Sequence, residues 1–428
     1  MNLNMLSLSE AVEAINVRKV TSVDLVQACL DRIDERDSDV KAWTQIDRQA
    51  VLDEAKSRDR EAPVGPLHGI PVGVKDIIDT VHLPTEYGSQ IYRGYRPGRE
   101  AACVSLVRRA GAVIFGKTVT TEFAMFRPGP TANPHALDRT PGGSSSGSAA
   151  AVADFQVPAA FGTQTAGSII RPAAFCGVVG YKPSFGTLSL DGIKPLAQTL
   201  DTLGFITRKV HDQFVMRSAL LGAERNPALF ARSKPRVGFF RTPFWSAAAP
   251  ETRQLLENTA QQLSENGFDV GEVTCPASFD NLNELHTNLM AFETARNYVP
   301  EYSEPNRSLL DERSRQAIEA GWKISADDYQ TMRTELGQAR LQFAELAGEF
   351  DAIMVPATAG EAPPIQSTGD PVFNRMWSLL GVPAVTLPAG RGPNGLPLGI
   401  QFVARYDTDL RLLQLCEDVE TRLEGGKS

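Results

Sequence analysis

A short glycine- and serine-rich turn that runs directly into a helix constrains this chain more than any other segment. Residues 141–148 read PGGSSSGS, and the following run, AAAVADF, is rich in helix formers. Such stretches are usually flexible linkers, but this one is short and ends at a helix. A phosphate-binding P-loop needs Lys and then Ser or Thr after its last glycine, whereas Ser148 follows Gly147 here. The segment is therefore typical of an ordered turn with a chemical role.

A second serine and a lysine stand at positions that suit acyl transfer. Ser168 follows Ala166-Gly167 in a second short segment downstream of Ser144, and Lys75 lies far upstream in the loop GVKD. A serine hydroxyl becomes a strong nucleophile only when a neighbouring base takes its proton. The Gly-x-Ser-x-Gly elbow of α/β-hydrolases does not fit, because the second glycine is missing after Ser168. Two serines and a lysine can instead form a nucleophile with a basic relay that needs no histidine.

These segments resemble the amidase signature family. That family carries Gly-Gly-Ser-Ser-Gly/Ser-Gly, then Gly-Thr-Asp/Gln-Thr-x-Gly-Ser, and upstream of both Gly-[IV]-Pro-x-x-[IV]-Lys-[DE]. Residues 142–147, 162–168 and 69–76 match the three segments in turn. Similarity beyond the motifs covers most of residues 60–210 and 350–420. The fold that the resemblance implies is α/β, with a central mixed β-sheet covered by helices on both faces.

The resemblance also implies catalytic roles. Ser168 would pass its proton to Ser144, and Ser144 would pass it to Lys75. The family places a cis peptide bond before the relay serine, so we expect one between Gly143 and Ser144. Backbone N–H groups aimed at the oxyanion stabilise the tetrahedral intermediate of acyl transfer. In this family they come from the turn that corresponds to Thr165, Ala166, Gly167 and Ser168.

The lysine must be uncharged to accept a proton. An exposed lysine has a pKa of ~10.4, and burial lowers that value because it disfavours the ammonium form. Val72 and Val74 alternate as in a strand, which puts Lys75 at the end of a buried segment. The alternative is that Lys75 pairs with Asp76 or Asp79, or lies in solvent.

Arg171 departs from the usual spacing in the family. It stands three residues after the expected nucleophile, whereas many members, including amidotransferase subunits, have arginine two residues after it. The spacing is similar to that of malonamidase-like enzymes, which implies that Arg171 binds a free carboxylate of the substrate. The alternative is a structural arginine that pairs with an Asp or with backbone carbonyls. Two milder departures are Gln164 in place of Asp and Ala166 in place of Gly.

Helix and strand patterns divide the chain into four regions. Capping boxes at Ser7/Glu10 and Thr21/Asp24 predict two helices near the beginning. We expect one amidase domain over residues 1–428, because large α/β enzymes often form a single domain. Its regions are N-terminal helices (1–60), a core with the catalytic motifs (61–245), a helical region over the substrate cleft (250–345) and the C-terminal part of the sheet (350–428).

Composition narrows the classes of protein and partner. The net charge of −8 argues against nucleic acid, whose binding proteins carry basic patches. No apolar run approaches the ~20 residues that span a bilayer, and no secretion signal is apparent, so we expect a cytoplasmic protein. Histidines and cysteines are scattered, so neither a metal nor any other cofactor is expected. Cys176 lies in an apolar segment and is expected to be a buried structural thiol.

The sequence predicts an amidase that hydrolyses a small-molecule carboxamide to carboxylate plus ammonia or amine through an acyl-enzyme. The expected partner is that small amide, and a homodimer is compatible with the sequence. One alternative is the glutamine-amidase subunit of a tRNA amidotransferase, which ranks second because such subunits are longer and work with partner chains. The other alternative is a catalytically silent scaffold on the same fold, against which the intact Lys75, Ser144 and Ser168 argue.

Overall fold

The first helices form where the sequence places their caps. A computed structural model of the chain describes residues 2–222 and 234–425. Ser7 Oγ accepts a hydrogen bond from the backbone N–H of Glu10, and the Glu10 carboxylate accepts one from the backbone N–H of Ser7. Thr21 and Asp24 form the same capping box at the second helix. The second helix carries an apolar stripe, Val26, Cys29, Leu30 and Ile33, and this stripe is buried. Local hydrogen bonds thus start both helices, and burial of one face holds them.

One mixed sheet runs through the molecule. Its eleven strands, among the described residues, are β1 (Trp43–Gln45), β2 (Pro71–Lys75), β3 (Val113–Thr118), β4 (Ala159–Gln164), β5 (Val179–Lys182), β6 (Thr202–Thr207), β7 (Arg236–Phe239), β8 (Asp269–Glu272), β9 (Ala352–Pro356), β10 (Ala384–Arg391) and β11 (Pro397–Val403). Their order is β1-β3-β2-β4-β6-β5-β10-β11-β9-β7-β8. Strand β2 is parallel to β3 and β4, and β7 is parallel to β8 and β9, while the remaining neighbours are antiparallel.

Helices surround this sheet. The α-helices of the described residues are α1 (Leu8–Asn16), α2 (Ser22–Val40), α3 (Arg48–Arg60), α4 (Ala102–Arg109), α5 (Ser146–Ala153), α6 (Ile170–Cys176), α7 (Val210–Leu221), α8 (Pro250–Glu265), α9 (Leu282–Asn297), α10 (Val299–Tyr302), α11 (Glu312–Trp322), α12 (Ala326–Ala347), α13 (Arg375–Leu380) and α14 (Asp409–Gly425). Short 3-10 turns lie at Leu3–Met5, Gln90–Tyr92, Glu122–Ala124, Trp245–Ala247, Ala277–Phe279 and Asn306–Leu309. No helix in the described part of the chain is long and apolar enough to cross a membrane.

Both faces of the sheet are buried, as the fold prediction requires. In β4, Phe161 packs into a large apolar cluster with residues of α4 and α7, whereas the neighbouring Ala160 packs on the opposite face with α5 and α6. Successive residues of a strand point to opposite faces, so this division shows helices on each side. The predicted α/β fold with a mixed sheet between helices is confirmed.

Two strands were not predicted. Strand β1 lies in the region expected to hold only N-terminal helices, and it pairs antiparallel with β3 at one edge of the sheet. Strand β8 lies in the helical region 250–345 and pairs with β7 at the other edge. Both are short edge strands with half-exposed or exposed residues, so neither carries the apolar run that marks a buried strand.

Candidate active site

The expected catalytic residues come from three segments that meet at one edge of the sheet. Lys75 is the last residue of β2, and Gln164 is the last residue of the neighbouring parallel strand β4. Parallel strands end at the same edge, which is where α/β proteins commonly place their sites. Ser144 lies in the turn before α5, and Ser168 lies in the turn between β4 and α6.

Lys75 is fully buried among hydroxyl and carbonyl groups. Its Nζ lies 2.7 Å from Ser144 Oγ, 2.8 Å from Thr163 Oγ1 and 3.4 Å from the carbonyl oxygen of Thr163. Burial lowers the pKa of Lys75 well below its ordinary value, and the more distant carboxylate of Asp201 only partly opposes this. The environment therefore favours an uncharged amine, which can accept a proton.

The alternative in which Lys75 pairs with a neighbouring aspartate is wrong. The Asp76 carboxylate lies 3.2 Å from Nζ of Lys117 on the adjacent strand β3. Asp79 accepts a hydrogen bond of 2.8 Å from the Tyr87 hydroxyl. Both carboxylates thus have other partners.

Ser144 follows a cis peptide bond, as expected. The bond joins it to Gly143, and the preceding Gly142 has a φ of +85°. A Cβ at Gly142 would lie 2.7 Å from Cα of Pro172, so only glycine fits this position. The glycines therefore allow the serine turn to lie against the start of α6.

Ser168 borders the site but makes no hydrogen bond to Ser144 through its hydroxyl. The backbone carbonyl of Ser168 accepts the N–H of Ser145 at 3.3 Å, which ties the two serine turns together. The described residues show no hydrogen bond between the two serine Oγ atoms. The structure thus links Lys75 to Ser144 directly and holds Ser168 beside them through the backbone.

The turn around Ser168 presents unpaired backbone donors. Among the described residues, no acceptor is found for the backbone N–H groups of Ala166, Gly167 and Ser168. The carbonyl groups of the same turn all accept hydrogen bonds. Thr165 O accepts one from His286 Nε2 at 2.9 Å, and Ala166 O accepts one from Ser378 Oγ at 2.8 Å. Gly167 O accepts one from the backbone N–H of Arg171 at 2.9 Å. A turn with free N–H groups and fixed carbonyls can bind a developing oxyanion.

Gln164 and Asp201 hold this turn from its other side. The Gln164 side chain accepts the N–H groups of Ile169 at 2.9 Å and Ile170 at 3.0 Å, so the glutamine noted as a departure caps the start of α6. Asp201 accepts a hydrogen bond of 2.5 Å from Thr165 Oγ1. Burial raises the pKa of Asp201 to about 6.

A cavity of about 400 Å³ opens in front of Ser168. Its wall includes Ser168 and Arg171 from the core and residues of α9 and α11 from the helical region. Arg375 and Asp370 lie on the same wall, with Arg375 Nη1 3.3 Å from the Asp370 carboxylate. Two helices of the region 250–345 thus line this cavity together with the turn that carries Ser168.

Arg171 is buried and only partly satisfied. Its Nη2 donates a 2.6 Å hydrogen bond to the carbonyl of Gly143, but Nε and Nη1 have no hydrogen-bond partner among the described residues. Burial and the neighbouring Arg375 lower the pKa of Arg171 to about 9, which leaves the guanidinium charged near neutral pH. Buried guanidinium N–H groups without partners favour an anion in the cavity.

Sequence reasoning missed several residues of the site. His286 and Ser378 come from α9 and α13, and neither belongs to a recognisable motif. His286 is fully buried, and burial lowers its pKa to about 4, so it is neutral. Thr163 was visible within a quoted motif, but nothing in the motif says that its hydroxyl meets Lys75.

Cys176 lies close to Ser168 in the sequence, and its thiol is buried. Cys176 is buried, its Sγ donates to the carbonyl of Pro141 at 3.4 Å, and burial raises its thiol pKa. It therefore stays a protonated thiol, as expected for a structural cysteine. In residues 2–222 and 234–425, no group of three or more His, Cys, Asp or Glu could hold a metal ion.

Comparison with known proteins places this arrangement in context. The family described as Amidase matches residues 24–413. A glutamyl-tRNA(Gln) amidotransferase subunit from Acidothermus cellulolyticus is 32% identical over 95% of this chain and 92% of its own length. The corresponding subunit from Koribacter versatilis is 30% identical over 99% of both chains.

Solved structures share the fold over nearly the whole chain. An amidase crystal structure matches with a TM-score of 0.90 and 31% identity, covering 97% of this chain and 100% of the other. The native peptide amidase from Stenotrophomonas maltophilia matches with a TM-score of 0.85 and 29% identity, covering 98% of this chain and 97% of its own.

The relatives overturn the prediction of a small-molecule carboxamidase. Relatives matched over nearly their full length are amidotransferase subunits, so they support the alternative that was ranked second. These subunits are longer, as expected, because their alignments run over 464 and 480 positions against the 428 residues of this chain, yet the alignments still span 92% and 99% of the relatives. The motifs specify amide-bond chemistry, and that chemistry is common to both functions.

The prediction about partners is wrong for the same reason. A protein named as a subunit of a tRNA amidotransferase works with other chains and with tRNA, whereas the sequence led us to expect a small amide alone and no nucleic acid. Net charge describes one chain in isolation. A subunit can serve a nucleic-acid substrate that basic surfaces of its partners bind.

Proposed function

Because the chain belongs to the amidase family, and so is a hydrolase of amide carbon–nitrogen bonds, we propose that it is the glutamine-hydrolysing subunit of an amidotransferase. In this role it releases ammonia from the glutamine side chain, and a partner protein uses that ammonia to amidate an acyl group on tRNA. The observation that carries the proposal is the match over nearly the full length to glutamyl-tRNA(Gln) amidotransferase subunits from several bacteria. The same role implies action in the cytoplasm.

The proposed first step is acylation of Ser168. Its Oγ attacks the amide carbon, while its proton moves to Ser144 and the proton of Ser144 moves to Lys75. The buried, uncharged environment of Lys75 and its 2.7 Å distance to Ser144 Oγ support this direction of proton flow. The hydrogen bond between the hydroxyls of Ser168 and Ser144 would form once substrate fills the cavity, since catalytic hydrogen bonds often tighten on binding.

The tetrahedral intermediate would be stabilised by the turn from Thr165 to Ser168. Its free N–H groups lie beside the nucleophile and are donors for an oxyanion. Collapse of the intermediate breaks the carbon–nitrogen bond, and the amine leaves as ammonia with the proton returned from Lys75 through Ser144. Water then attacks the acyl-enzyme by the same relay, which releases glutamate and restores Ser168.

The substrate carboxylate would bind Arg171. Glutamine carries a free carboxylate, and the unpaired Nε and Nη1 of Arg171 are buried at the cavity wall. A guanidinium can meet a carboxylate with two parallel hydrogen bonds. The finer resemblance to malonamidase-like amidases rests on the position of Arg171, and within this proposal it concerns the carboxylate site alone.

Ammonia release tests the function. The chain would be assayed with glutamine alone and after co-expression with the other subunits of a tRNA amidotransferase, with Ser168→Ala as the inactive control. We expect glutamine hydrolysis that needs Ser168 and rises when the partner subunits bind. A well-folded wild type that hydrolyses no glutamine in either state would contradict the proposal. Failure to label with a fluorophosphonate as well would favour a catalytically silent scaffold.

Arg171→Met tests the carboxylate site. We expect KM for glutamine to rise by about 10- to 150-fold, because a lost hydrogen bond to a charged group is worth about 1.5–3 kcal/mol. The matched control is Arg313→Met, since Arg313 also borders the cavity but is exposed. Equal increases for both variants, or an equal loss with an amide that lacks the carboxylate, would contradict the assignment.

A further inference from the structure

The direction of an oxyanion-hole donor is set by the carbonyl in the same peptide. A peptide group is planar, and in the trans form its C=O and N–H point in opposite directions. The carbonyl of Thr165 shares its peptide with the N–H of Ala166, and this bond is trans. His286 Nε2 lies 2.9 Å from the Thr165 oxygen. Because a carbonyl only accepts, Nε2 carries the proton, and this hydrogen bond turns the N–H of Ala166 the opposite way.

The next peptide is held in the same manner by another helix. Ser378 Oγ lies 2.8 Å from the carbonyl oxygen of Ala166, and that peptide supplies the N–H of Gly167. The Ser378 oxygen also accepts a 3.0 Å hydrogen bond from Nε2 of Gln164. The Ser378 hydroxyl therefore donates its proton to the Ala166 carbonyl, and this hydrogen bond fixes the orientation of the Gly167 N–H.

The space around the turn leaves little room for other orientations. Ala166 and Ser168 border the cavity, so their peptides face it on one side. On the other side, a Cβ at Gly167 would lie 2.5 Å from Oδ1 of Asn374. His286 and Ser378 are themselves buried. Packing thus keeps the turn close, and the two side chains decide which way its peptides point.

We propose that His286 and Ser378 are positioning residues that aim the N–H groups of Ala166 and Gly167 at the oxyanion. This inference rests on the proposed hydrolysis through Ser168. Neither residue touches the reacting atoms, since each acts through one backbone carbonyl. The helical region 250–345 then does more than cover the cleft, because α9 completes the orientation of the catalytic turn.

Variants at His286 test the proposal. His286→Leu removes the donor, and we expect kcat to fall by about 10- to 100-fold, less than the 10²–10³-fold that loss of an entire oxyanion donor costs. KM should stay within about threefold, because ground-state binding does not depend on the oxyanion donors. His286→Gln keeps an N–H at a similar distance along the side chain, so it should recover most of kcat. Ser378→Ala should lower kcat in the same way.

His68 supplies a matched control. It is a second buried histidine, and its Nε2 also bonds a backbone carbonyl, that of Arg58, at 3.0 Å. Like His286, it has an Nδ1 without a partner among the described residues. His68→Leu therefore removes the same kind of hydrogen bond at a place away from the turn. We expect it to lower thermal stability without lowering kcat per active site, as titrated with a fluorophosphonate.

The outcomes separate this inference from the function on which it rests. If wild type cleaves the amide and His286→Leu does so with unchanged kcat, the positioning role is overturned while the hydrolysis stands. Equal loss in His286→Leu and His286→Gln, or a matching loss in His68→Leu, also overturns it. If His286→Leu does not fold, Ser378→Ala and His286→Gln provide the test. Ser378→Ala should then lower kcat with KM nearly unchanged, and His286→Gln should keep most of kcat. Activity that survives Ser168→Ala would instead refute the proposed function.

Discussion

Of two buried lysines on adjacent parallel strands, one has a carboxylate within hydrogen-bonding distance and the other has none. Lys75 ends β2, and Lys117 lies beside it on β3, where it pairs in register with Val74. Both side chains are fully buried. Nζ of Lys117 lies 3.2 Å from the Asp76 carboxylate and donates to the carbonyl of Ile78 at 2.6 Å. Nζ of Lys75 meets only hydroxyls and a carbonyl.

Because of this difference, the surroundings of the two lysines favour different protonation states. Burial lowers the pKa of both, but for Lys117 the adjacent Asp76 carboxylate opposes the lowering. The nearest opposing charge for Lys75 is Asp201, which makes no hydrogen bond to it. With equal burial, the carboxylate beside Lys117 favours its charged form, whereas the surroundings of Lys75 favour the uncharged form that the proposed base requires.

Lys75→Met should have the largest effect on activity. It removes the terminal base, so we expect kcat for ammonia release to fall by about 10²–10⁴-fold, the usual range for a general base. Burial lowers the pKa of Lys75 and no carboxylate lies within hydrogen-bonding distance of it, so this variant should lose less thermal stability than one that breaks a buried ion pair. Near-normal kcat in this variant would show that Lys75 is not the base.

Lys117→Met should have the opposite signature. It leaves the Asp76 carboxylate buried without its partner, and breaking a buried ion pair costs about 3–5 kcal/mol. Urea denaturation should show this loss, while kcat per folded active site changes little. Adding Asp76→Asn should recover part of the stability. A Lys117→Met protein that is stable but inactive would contradict the assignment of Lys117 to stability and Lys75 to catalysis.

The pH dependence of turnover should report Lys75. Protonated Lys75 cannot accept a proton, so kcat/KM should fall as pH falls through its pKa, by about tenfold per pH unit below the midpoint. The midpoint should lie well below 10.5, since burial lowers the pKa of this lysine. Asp201→Asn removes the charge that opposes this lowering and should move the midpoint to lower pH. An acid optimum would contradict an uncharged lysine base.

Thr163→Val should give the smallest change. It removes the hydroxyl 2.8 Å from Nζ of Lys75 while keeping the shape of the side chain. A hydrogen bond of this kind contributes about 1 kcal/mol, so we expect kcat to fall roughly fivefold. Thr118→Val is the matched control, because Thr118 is a buried threonine on β3 whose hydroxyl bonds that of Ser148 in α5. Equal losses in both variants would indicate a general packing effect.

The sequence reveals the parts of this molecule that depend on near neighbours. Capping boxes at Ser7 and Thr21 depend on residues three positions away, and the segment around Lys75 is a contiguous motif. The partner of Asp76 could not be read, because it depends on which strand lies beside β2. His286 lies far from Thr165 in the chain, and only the packing of α9 brings them together.

The substrate was harder to predict from the sequence than the reaction. In the proposed mechanism Lys75, Ser144 and Ser168 break the amide bond, but the cavity that would select the amide is lined largely by α9, α11 and the segment near Arg375. Those residues belong to polar helices whose pattern predicts only a solvated face. Arg171 was visible through its spacing, whereas its unpaired N–H groups became apparent only in the structure.

The strand order has a consequence for how the chain is made. Strands β10 and β11 come from the end of the chain, yet they lie in the middle of the sheet, between β5 and β9. During synthesis, the sheet formed by β1 to β6 and the one formed by β7 to β9 remain separate, each with an open edge that can pair with other chains. Strands β10 and β11, which follow the other nine strands of the described residues in chain order, join them. Long-range pairing of this kind is slow in general, and strand edges that wait for it are prone to aggregation.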